Sequence, residues 1–600
     1  MMPRRLLCSL AAAALAAGPA ATAWPQQGAD LIYAGGDIVT VNDAQPVAEA
    51  VAVTAEKIVA VGSRDEIMKH RGASTRMVNL NGKTMVPGFI DAHGHAFLVG
   101  FQAVSANLLP PPDGKTSSIA ALQRILREYA AGPVAKRYGI VIGFGYDDAQ
   151  LQDANGLRRH PTRQELDAVS KGLPVIVIHQ SGHLAAANSK ALEVAGIQLD
   201  TPNPKGGVIR READGKTPNG VLEETAWFGL LQALPRLSGV EMQSMALAGL
   251  QLYSRYGYTT AQEGRATAAQ QDTWMALSEA GKLKLDVVSY PDFTLTDSPP
   301  GLDGPFAGRD YRRHFRIGGV KLSLDGSPQG KTAWLSRPYF RPPAGAPRNY
   351  RGYSTLTDEE AAERIDKAYA MGWQLLVHTN GDAASDQMIS AMRDAVAKHG
   401  ARDHRSVMIH AQTVREDQLD SMRELGILPS FFGMHTFYWG DWHREETLGP
   451  VRAERISPAM SALRRGMRFT QHHDAPVAFP DSIRILSAAV TRRSRSGDIL
   501  GADQRIPVDV ALKSITLWAA YQHFEEDSKG SIEAGKLADF VVLSNSPLKV
   551  DPEKLSTLKV IETIKEGRTI YRAPATKRPA PEQGERRRRP SGSPSNSPAE

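Results

Sequence analysis

The sequence predicts an α/β protein: a distorted TIM (β/α)8 barrel that carries a small β-sandwich built from both ends of the chain. Three observations predict it. Apolar strand-like runs alternate with helical segments through the middle of the chain, the pattern of βα units on a parallel sheet. Eight such runs can be placed, the number that closes a barrel. Short β-runs punctuated by turns occur only near the two ends, and each end alone is too small to bury a core.

The elements follow in order. Arg4 and Arg5 precede the apolar run Leu6 to Ala17, and Ala21-Thr22-Ala23 supplies a small-x-small cleavage pattern. Residues 1–23 therefore read as a signal peptide, placing the protein in the periplasm or outside the cell. From Asp30 to Met85 the β-runs are Leu31 to Val41, Ala50 to Val61 and Arg76 to Leu80, the last turning at Asn81-Gly82. With 530–573, which contains Ala538 to Leu543 and Thr569 to Tyr571, residues 30–85 make the predicted sandwich. The barrel spans 86–529. Its strands are expected at Phe89 to His95, Thr259 to Glu263, Leu285 to Tyr290, Ile317 to Asp325, Trp373 to Thr379, Ser406 to Gln412, Ile427 to Phe431 and Met467 to Asp474. This count requires an insertion over about residues 100–250, after the first strand, with apolar runs of its own at Ile140 to Phe144 and Pro174 to His179. Residues 574–600, rich in Arg, Pro and Ser, read as a disordered basic tail.

Composition excludes several classes. The chain has 600 residues, 42% of them hydrophobic, enough for a large core and more than one domain. No run after the signal approaches the ~20 apolar residues of a bilayer span. The net charge of +6 sits largely in the termini rather than on a folded surface, so no nucleic-acid partner is expected. The single cysteine, Cys8, lies in the signal, which removes disulfides, thiolate ligands and a cysteine nucleophile from the mature chain. Any metal is held by nitrogen and oxygen.

Such donors fall at the carboxyl ends of the predicted strands, where a barrel builds its active site. The first strand brings His93 and His95, separated by Gly94; the fourth Lys321 and Asp325; the fifth His378; the sixth His410; the eighth Asp474, behind His472 and His473. Singly, each histidine has an ordinary surface or hydrogen-bonding reading, and Asp474 could cap a loop. As an ordered set they point to a divalent cation. Lys321 cannot ligate as an ammonium; deprotonated, it could take up carbon dioxide and become a carbamate bridging two ions, and pairing with Asp325 is the plain alternative.

The chain resembles the amidohydrolase superfamily, and within it amidohydrolase family 3, the YtcJ-like group. The motifs are PGFIDAHGH (Pro87 to His95), SGHLAAANSKAL (Ser181 to Leu192), GVLEE (Gly220 to Glu224), VKLSLDGSPQGKTA (Val320 to Ala333), HTNGD (His378 to Asp382), IHAQ (Ile409 to Gln412), HHDAPV (His472 to Val477) and GSIEAGKLADFVVL (Gly530 to Leu543). The resemblance implies His93, His95, His378 and His410 as metal ligands, Lys321 as carbamylated bridge and Asp474 as catalytic acid and base. His472 and His473 depart from the small residues that usually precede the final aspartate, and Thr379-Asn380 from the usual pair after the fifth-strand histidine.

The expected reaction is hydrolysis of a C–N bond in a small amide, formamide or N-acyl compound. Zinc is the default ion, one or two, with manganese or iron also suited to the donors. His183 and Asp325 are expected to contact substrate, and His410 or His183 to stabilise the oxyanion. The aromatic group Phe431, Phe432, Phe437, Tyr438, Trp439 and Trp442 reads as packing, a lid or a substrate wall. A homodimer is common for this architecture by resemblance. An isomerase or lyase on the same scaffold, and a non-catalytic periplasmic binding protein, remain the alternatives.

Overall fold

Both ends of the chain supply the first sheet. The computed structural model describes residues 28–232, 237–343 and 345–574; the expected signal and all of the tail beyond residue 574 lie outside the described residues. Strands Ala29–Val39, Val47–Thr54, Lys57–Gly62, Arg71–Asn79 and Thr84–Pro87 join Phe540–Leu543, Val560–Lys565 and Arg568–Arg572 in one eight-stranded sheet. The two halves meet where Thr84–Pro87 pairs antiparallel with Phe540–Leu543, Pro87 facing Phe540. They share a core that includes Tyr33, Val51, Met85, Phe540 and Ile564, with the Tyr33 and Phe540 rings edge to face at 5.5 Å. The strands expected to make a sandwich are thus one continuous hydrogen-bonded sheet. The expected single run Ala50 to Val61 is a hairpin, Val47–Thr54 against Lys57–Gly62. Its turn at Ala55, with φ +52°, carries neither glycine nor asparagine, so no turn residue marks it in the sequence.

Two parallel sheets make the middle of the molecule. One orders Phe89–Ile90, Tyr258–Ala266, Asp286–Pro291 and Phe315–Ile317; the other orders Gly319–Ser323, Gln374–Thr379, Val407–His410, Leu428–Phe431 and Thr470–Gln471. Between the two sheets Gly318 donates its N–H to Ser289 at 2.9 Å, and Asp292 bridges to Lys321. At the far edges the Asp474 N–H donates to the His93 carbonyl at 3.1 Å and the His95 N–H to the Ala475 carbonyl at 2.8 Å. Hydrogen bonds therefore link the first run to the last. All eight predicted runs contain a strand, but the first and last are strands only at Phe89–Ile90 and Thr470–Gln471, because their donor-bearing ends leave the ladder. Helices Asp358–Ala370, Asp382–His399 and Glu416–Leu425 follow the middle strands, and the first starts from a reciprocal Thr357–Glu360 cap.

The inserted segment is narrower than about 100–250. Its own six-stranded sheet runs from Ala106–Asn107 through Val141–Tyr146, Val175–His179, Leu184–Ala187 and Pro218–Glu224 to Gly207–Arg211 at the edge. The helix Gly239–Arg255 then leads into the next parallel strand and packs on helix Ala96–Val104. That contact needs Gly100, where a Cβ would stand 1.9 Å from the Met245 carbonyl oxygen. Among the described residues no helix is long and apolar enough to cross a membrane.

Candidate metal centre

The carboxyl ends of the parallel strands bring the predicted donors together. After Ile90 the chain turns on Asp91, whose Oδ1 accepts the His93 N–H at 3.0 Å and whose Oδ2 accepts the Gln262 N–H at 3.1 Å. The turn has no room for a side chain at Gly94: a Cβ there would lie 2.4 Å from Tyr253 Oη and 2.6 Å from Asp91 Oδ2. His93 and His95 thus reach one point through this tight turn rather than by strand alternation. Each Nε2 lies 3.2 Å from Asp474 Oδ1. Lys321 Nζ is 3.2 Å from His93 Nε2, not beside Asp325. His410 Nε2 is 4.0 Å from Asp474 Oδ2, and the His378 and His410 rings are 4.5 Å apart. His410, Ala411 and Asp474 hold left-handed φ values of +73°, +44° and +52°, a backbone cost that concentrates at this centre.

Burial sets the protonation of the group. It lowers His93 to about 4, with Lys321 adding to the effect, and takes His378 and His410 well below the usual imidazole range. Neutral imidazole is the form that ligates. Burial also brings Lys321 down to about 7, so a neutral amine is accessible near neutral pH. Gln262 Oε1, held by its amide's bond to the Ala92 carbonyl, faces His93 Nδ1 at 2.8 Å. His93 therefore carries its proton on Nδ1 and turns the Nε2 lone pair to Asp474 Oδ1, a buried oxygen with no well-formed hydrogen bond. A lone pair facing a carboxylate oxygen is repulsive unless a cation lies between, so the donors fit a metal ion.

The two predicted substrate residues lie differently. His183 stands on the insertion with its ring 4.9 Å from that of His378 and Nδ1 2.8 Å from Glu224 Oε2. Burial opposes its charged form, but Glu224 outweighs burial and raises its pKa. A cleft of about 230 Å3, lined among others by His183, Glu224, Arg265, Ser323 and Arg364, opens beside it. Asp325 is fully buried, and four donors occupy it: Asn380 N and His378 Nδ1 on Oδ1, Gly381 N and Trp334 N on Oδ2. Its carboxylate faces His378 and the backbone, where the sequence suggested substrate. Glu224 and Gln262 escaped sequence reasoning as site residues, although Glu224 closes the GVLEE motif.

The aromatic group packs. Phe431, Phe432, Tyr438, Trp439 and Trp442 are buried; Trp439 Nε1 donates to Asp147 at 2.9 Å and Tyr438 to Asp113 at 2.6 Å, tying helix His435–Trp442 to the insertion. Among the described residues, two other His/Asp/Glu groups lie close enough together to suggest a metal. In one, His179 Nδ1 accepts the Ser181 N–H at 3.1 Å, leaving a proton on Nε2 for Asp148 at 3.0 Å. In the other, Lys529 and Lys565 already neutralise Asp286 at 2.6 and 3.0 Å.

Parallel strands with a histidine, lysine and aspartate set at their carboxyl ends define a class, and comparison with known proteins agrees. Residues 76–571 match the family model described as amidohydrolase family, and the chain belongs to that family. It is 27% identical to a putative amidohydrolase, YtcJ, of Bacillus subtilis (strain 168), over 90% of this chain and 99% of that protein. It is equally 27% identical to an N-substituted formamide deformylase of Arthrobacter pascens, over 90% of this chain and 98% of the other. In fold it matches the crystal structure of an uncharacterized metal-dependent hydrolase from Pyrococcus horikoshii OT3, with TM-score 0.67 and 24% identity, covering 87% of this chain and 99% of that one. The chain is thus a mixed α/β protein of the amidohydrolase superfamily fold.

Proposed function

We propose that this protein is an exported metal-dependent hydrolase that cleaves the C–N bond of a small amide, formamide or N-acyl compound. In this reading the two parallel sheets close into a distorted (β/α)8 barrel over 86–529, the sheet from residues 30–85 and 530–573 is a small β domain beside it, and 1–23 is a signal that sends it to the periplasm. The observation that carries the reading is the meeting of His93, His95, Lys321, His378, His410 and Asp474 at one buried point. The four histidines and Asp474 would hold one or two divalent ions, zinc by default. Addition of the neutral Lys321 amine to carbon dioxide, with loss of one proton, would give a carbamate donor. Held by these residues, such an ion would supply a water whose pKa falls from 15.7 towards ~7 and a charge to polarise the scissile carbonyl.

The remaining chemistry belongs to the side chains. Asp474 takes the proton of the attacking water and returns it to the leaving nitrogen. His183, whose charged form Glu224 favours, would donate to the oxygen that gains charge as the carbonyl is attacked. Asp325 fixes the His378 ring rather than binding substrate. The small cleft beside His183 suits a small molecule. The formamide deformylase relative makes N-substituted formamides the first substrates to test.

The test is purified full-length protein assayed by mass spectrometry on a panel of formamides, N-acyl compounds and cyclic amides, with metal content by elemental analysis. Hydrolysis adds the mass of water, isomerisation leaves mass unchanged, and elimination splits the substrate without water. At least one metal per chain, and turnover abolished in His93→Ala and Asp474→Asn, is the expected result. Protein that neither carries nor takes up metal, with any turnover untouched by both substitutions, would overturn the proposal.

A further inference from the structure

A buried chain of side chains runs outward from His410, and its direction can be read from its far end. His410 Nδ1 lies 3.1 Å from His472 Nε2, His472 Nδ1 2.9 Å from Ser430 Oγ, Ser430 Oγ 2.7 Å from Thr470 Oγ1, and Thr470 Oγ1 2.8 Å from Gln522 Oε1. Gln522 Nε2 then donates to the Ala92 carbonyl at 2.7 Å. His472, Ser430, Thr470 and Gln522 are all buried, so bulk water does not terminate the chain.

A backbone carbonyl only accepts, which fixes the Gln522 amide with its nitrogen toward Ala92 and its oxygen toward Thr470. That oxygen also only accepts, so the single Thr470 hydroxyl proton goes to it. Thr470 Oγ1 is placed to donate to Ser430 as well as to Gln522, but its one proton serves only one of them; spent on Gln522, it leaves Ser430 to donate to Thr470, because two oxygens without a proton between them repel at 2.7 Å. With its proton spent, Ser430 accepts from His472 Nδ1–H, His472 Nε2 is left as an acceptor, and His410 donates to it from Nδ1. With His472 neutral, the opposite polarity would leave the Thr470 and Gln522 oxygens facing each other at 2.8 Å without a proton between them. The Ala92 carbonyl also receives the amide of Gln262, at 2.7 Å, whose oxygen sets the His93 tautomer.

We infer that His472 is a positioning residue: together with Ser430, Thr470 and Gln522 it locks His410 in the Nδ1–H tautomer, so that Nε2 presents a lone pair to the metal centre. One backbone oxygen, Ala92 O, thereby dictates the tautomers of two ligands, His93 through one amide and His410 through a four-residue relay. The departure of His472 from the small residues expected before the final aspartate gains a purpose. A smaller side chain there would leave His410 Nδ1 without its partner. The inference rests on the metal reading for its purpose, though not for the polarity of the chain.

Neutron crystallography of the perdeuterated full-length enzyme tests the polarity directly. Deuterons are expected on Nδ1 of both His410 and His472, with none on His472 Nε2; a deuteron on His472 Nε2 overturns the inference. The consequence is read by Zn2+ competition against a chromophoric chelator. His472→Leu is expected to weaken Zn2+ binding by roughly 10–100-fold, as loss of an outer-sphere partner does. His472→Gln, which can accept from His410 and donate to Ser430, should restore most of it. Equal affinity in wild type and His472→Leu, or no recovery in His472→Gln, overturns the positioning role. Wild-type protein that binds no Zn2+ would sink the metal reading while the deuterons still decide the relay, and they also decide it if His472→Leu does not fold.

Discussion

At Asp325, one carboxylate accepts from three backbone amides and the His378 ring, all within 3.1 Å. Asp325→Asn keeps the shape but replaces one acceptor oxygen, which serves two donors, with a donor, so two of these buried N–H groups lose their partner. The expected cost is ~1–3 kcal/mol of stability for each of the two, measured by urea denaturation. Because His378 is the ligand so held, metal affinity should fall about 10–100-fold in a chelator competition; unchanged affinity would assign Asp325 to folding alone. Gly94 makes a sharper case. In Gly94→Ala the new methyl meets Tyr253 Oη, Asp91 Oδ2 and His473 Cε1, all closer than 3.0 Å, and the turn that aligns His93 with His95 must open. Overpacking of this kind costs ~1–3 kcal/mol. A shift of ~1 Å at the ligands is worth about 100-fold in rate, so kcat/KM should drop by at least that much in a variant that still folds.

Elements were legible in proportion to how regular they are. The eight strand-bearing runs could be placed because each is an apolar run between turn residues, and the ligands could be assigned because chemistry-bearing side chains sit where such runs end. The hairpin at Ala55 was not legible, since a left-handed alanine leaves no mark in composition. Nor was the role of Asp325, whose partners are mostly backbone amides of segments that approach it only in the fold. The relay through Thr470 and Gln522 joins positions 52 residues apart by side chains that are ordinary in any sequence. The pairing of the chain's ends was visible only as two β-rich halves, and Phe540 shows what the pairing contributes. It is fully buried against Tyr33 and stands opposite Pro87. Phe540→Ala should cost ~3–5 kcal/mol. Limited proteolysis should show the Ala29–Val39 and Val47–Thr54 strands opening together with the C-terminal ones, because they share one core; protection of the N-terminal strands in that variant would separate the halves.

At the scale of the whole molecule, the parallel strands are fastened to the eight-stranded mixed sheet, built from both ends of the chain, at the end opposite the metal centre. Asp286, the first residue of its strand, pairs with Lys529 and with Lys565 of the mixed sheet, and Glu525 pairs with Lys529 and Arg316, each at 2.8 Å. Tyr311 donates to Glu525 at 2.6 Å. Burial pushes the Glu525 carboxyl up, but Lys529 and Arg316 outweigh it and hold the group at about 2, below the ordinary 4.5. A depressed carboxyl stabilises the fold above its unfolded pKa, and the contribution is lost as pH falls through the folded one. It is therefore complete at neutral pH, declines below about 4.5, and is gone near 2. A gap of that size corresponds to roughly 3 kcal/mol. Glu525→Gln removes the titrating group and leaves Arg316 and Lys529 short of a partner, which should cost ~3–5 kcal/mol at pH 7. Urea midpoints at pH 7, 4.5 and 3 provide the check. The wild type should converge on the variant as pH falls below 4.5, because acid protonates the carboxylate that the substitution removes. Parallel curves over that range would place the acid sensitivity elsewhere, and convergence already at pH 6 would mean that the paired cations do not hold Glu525 down.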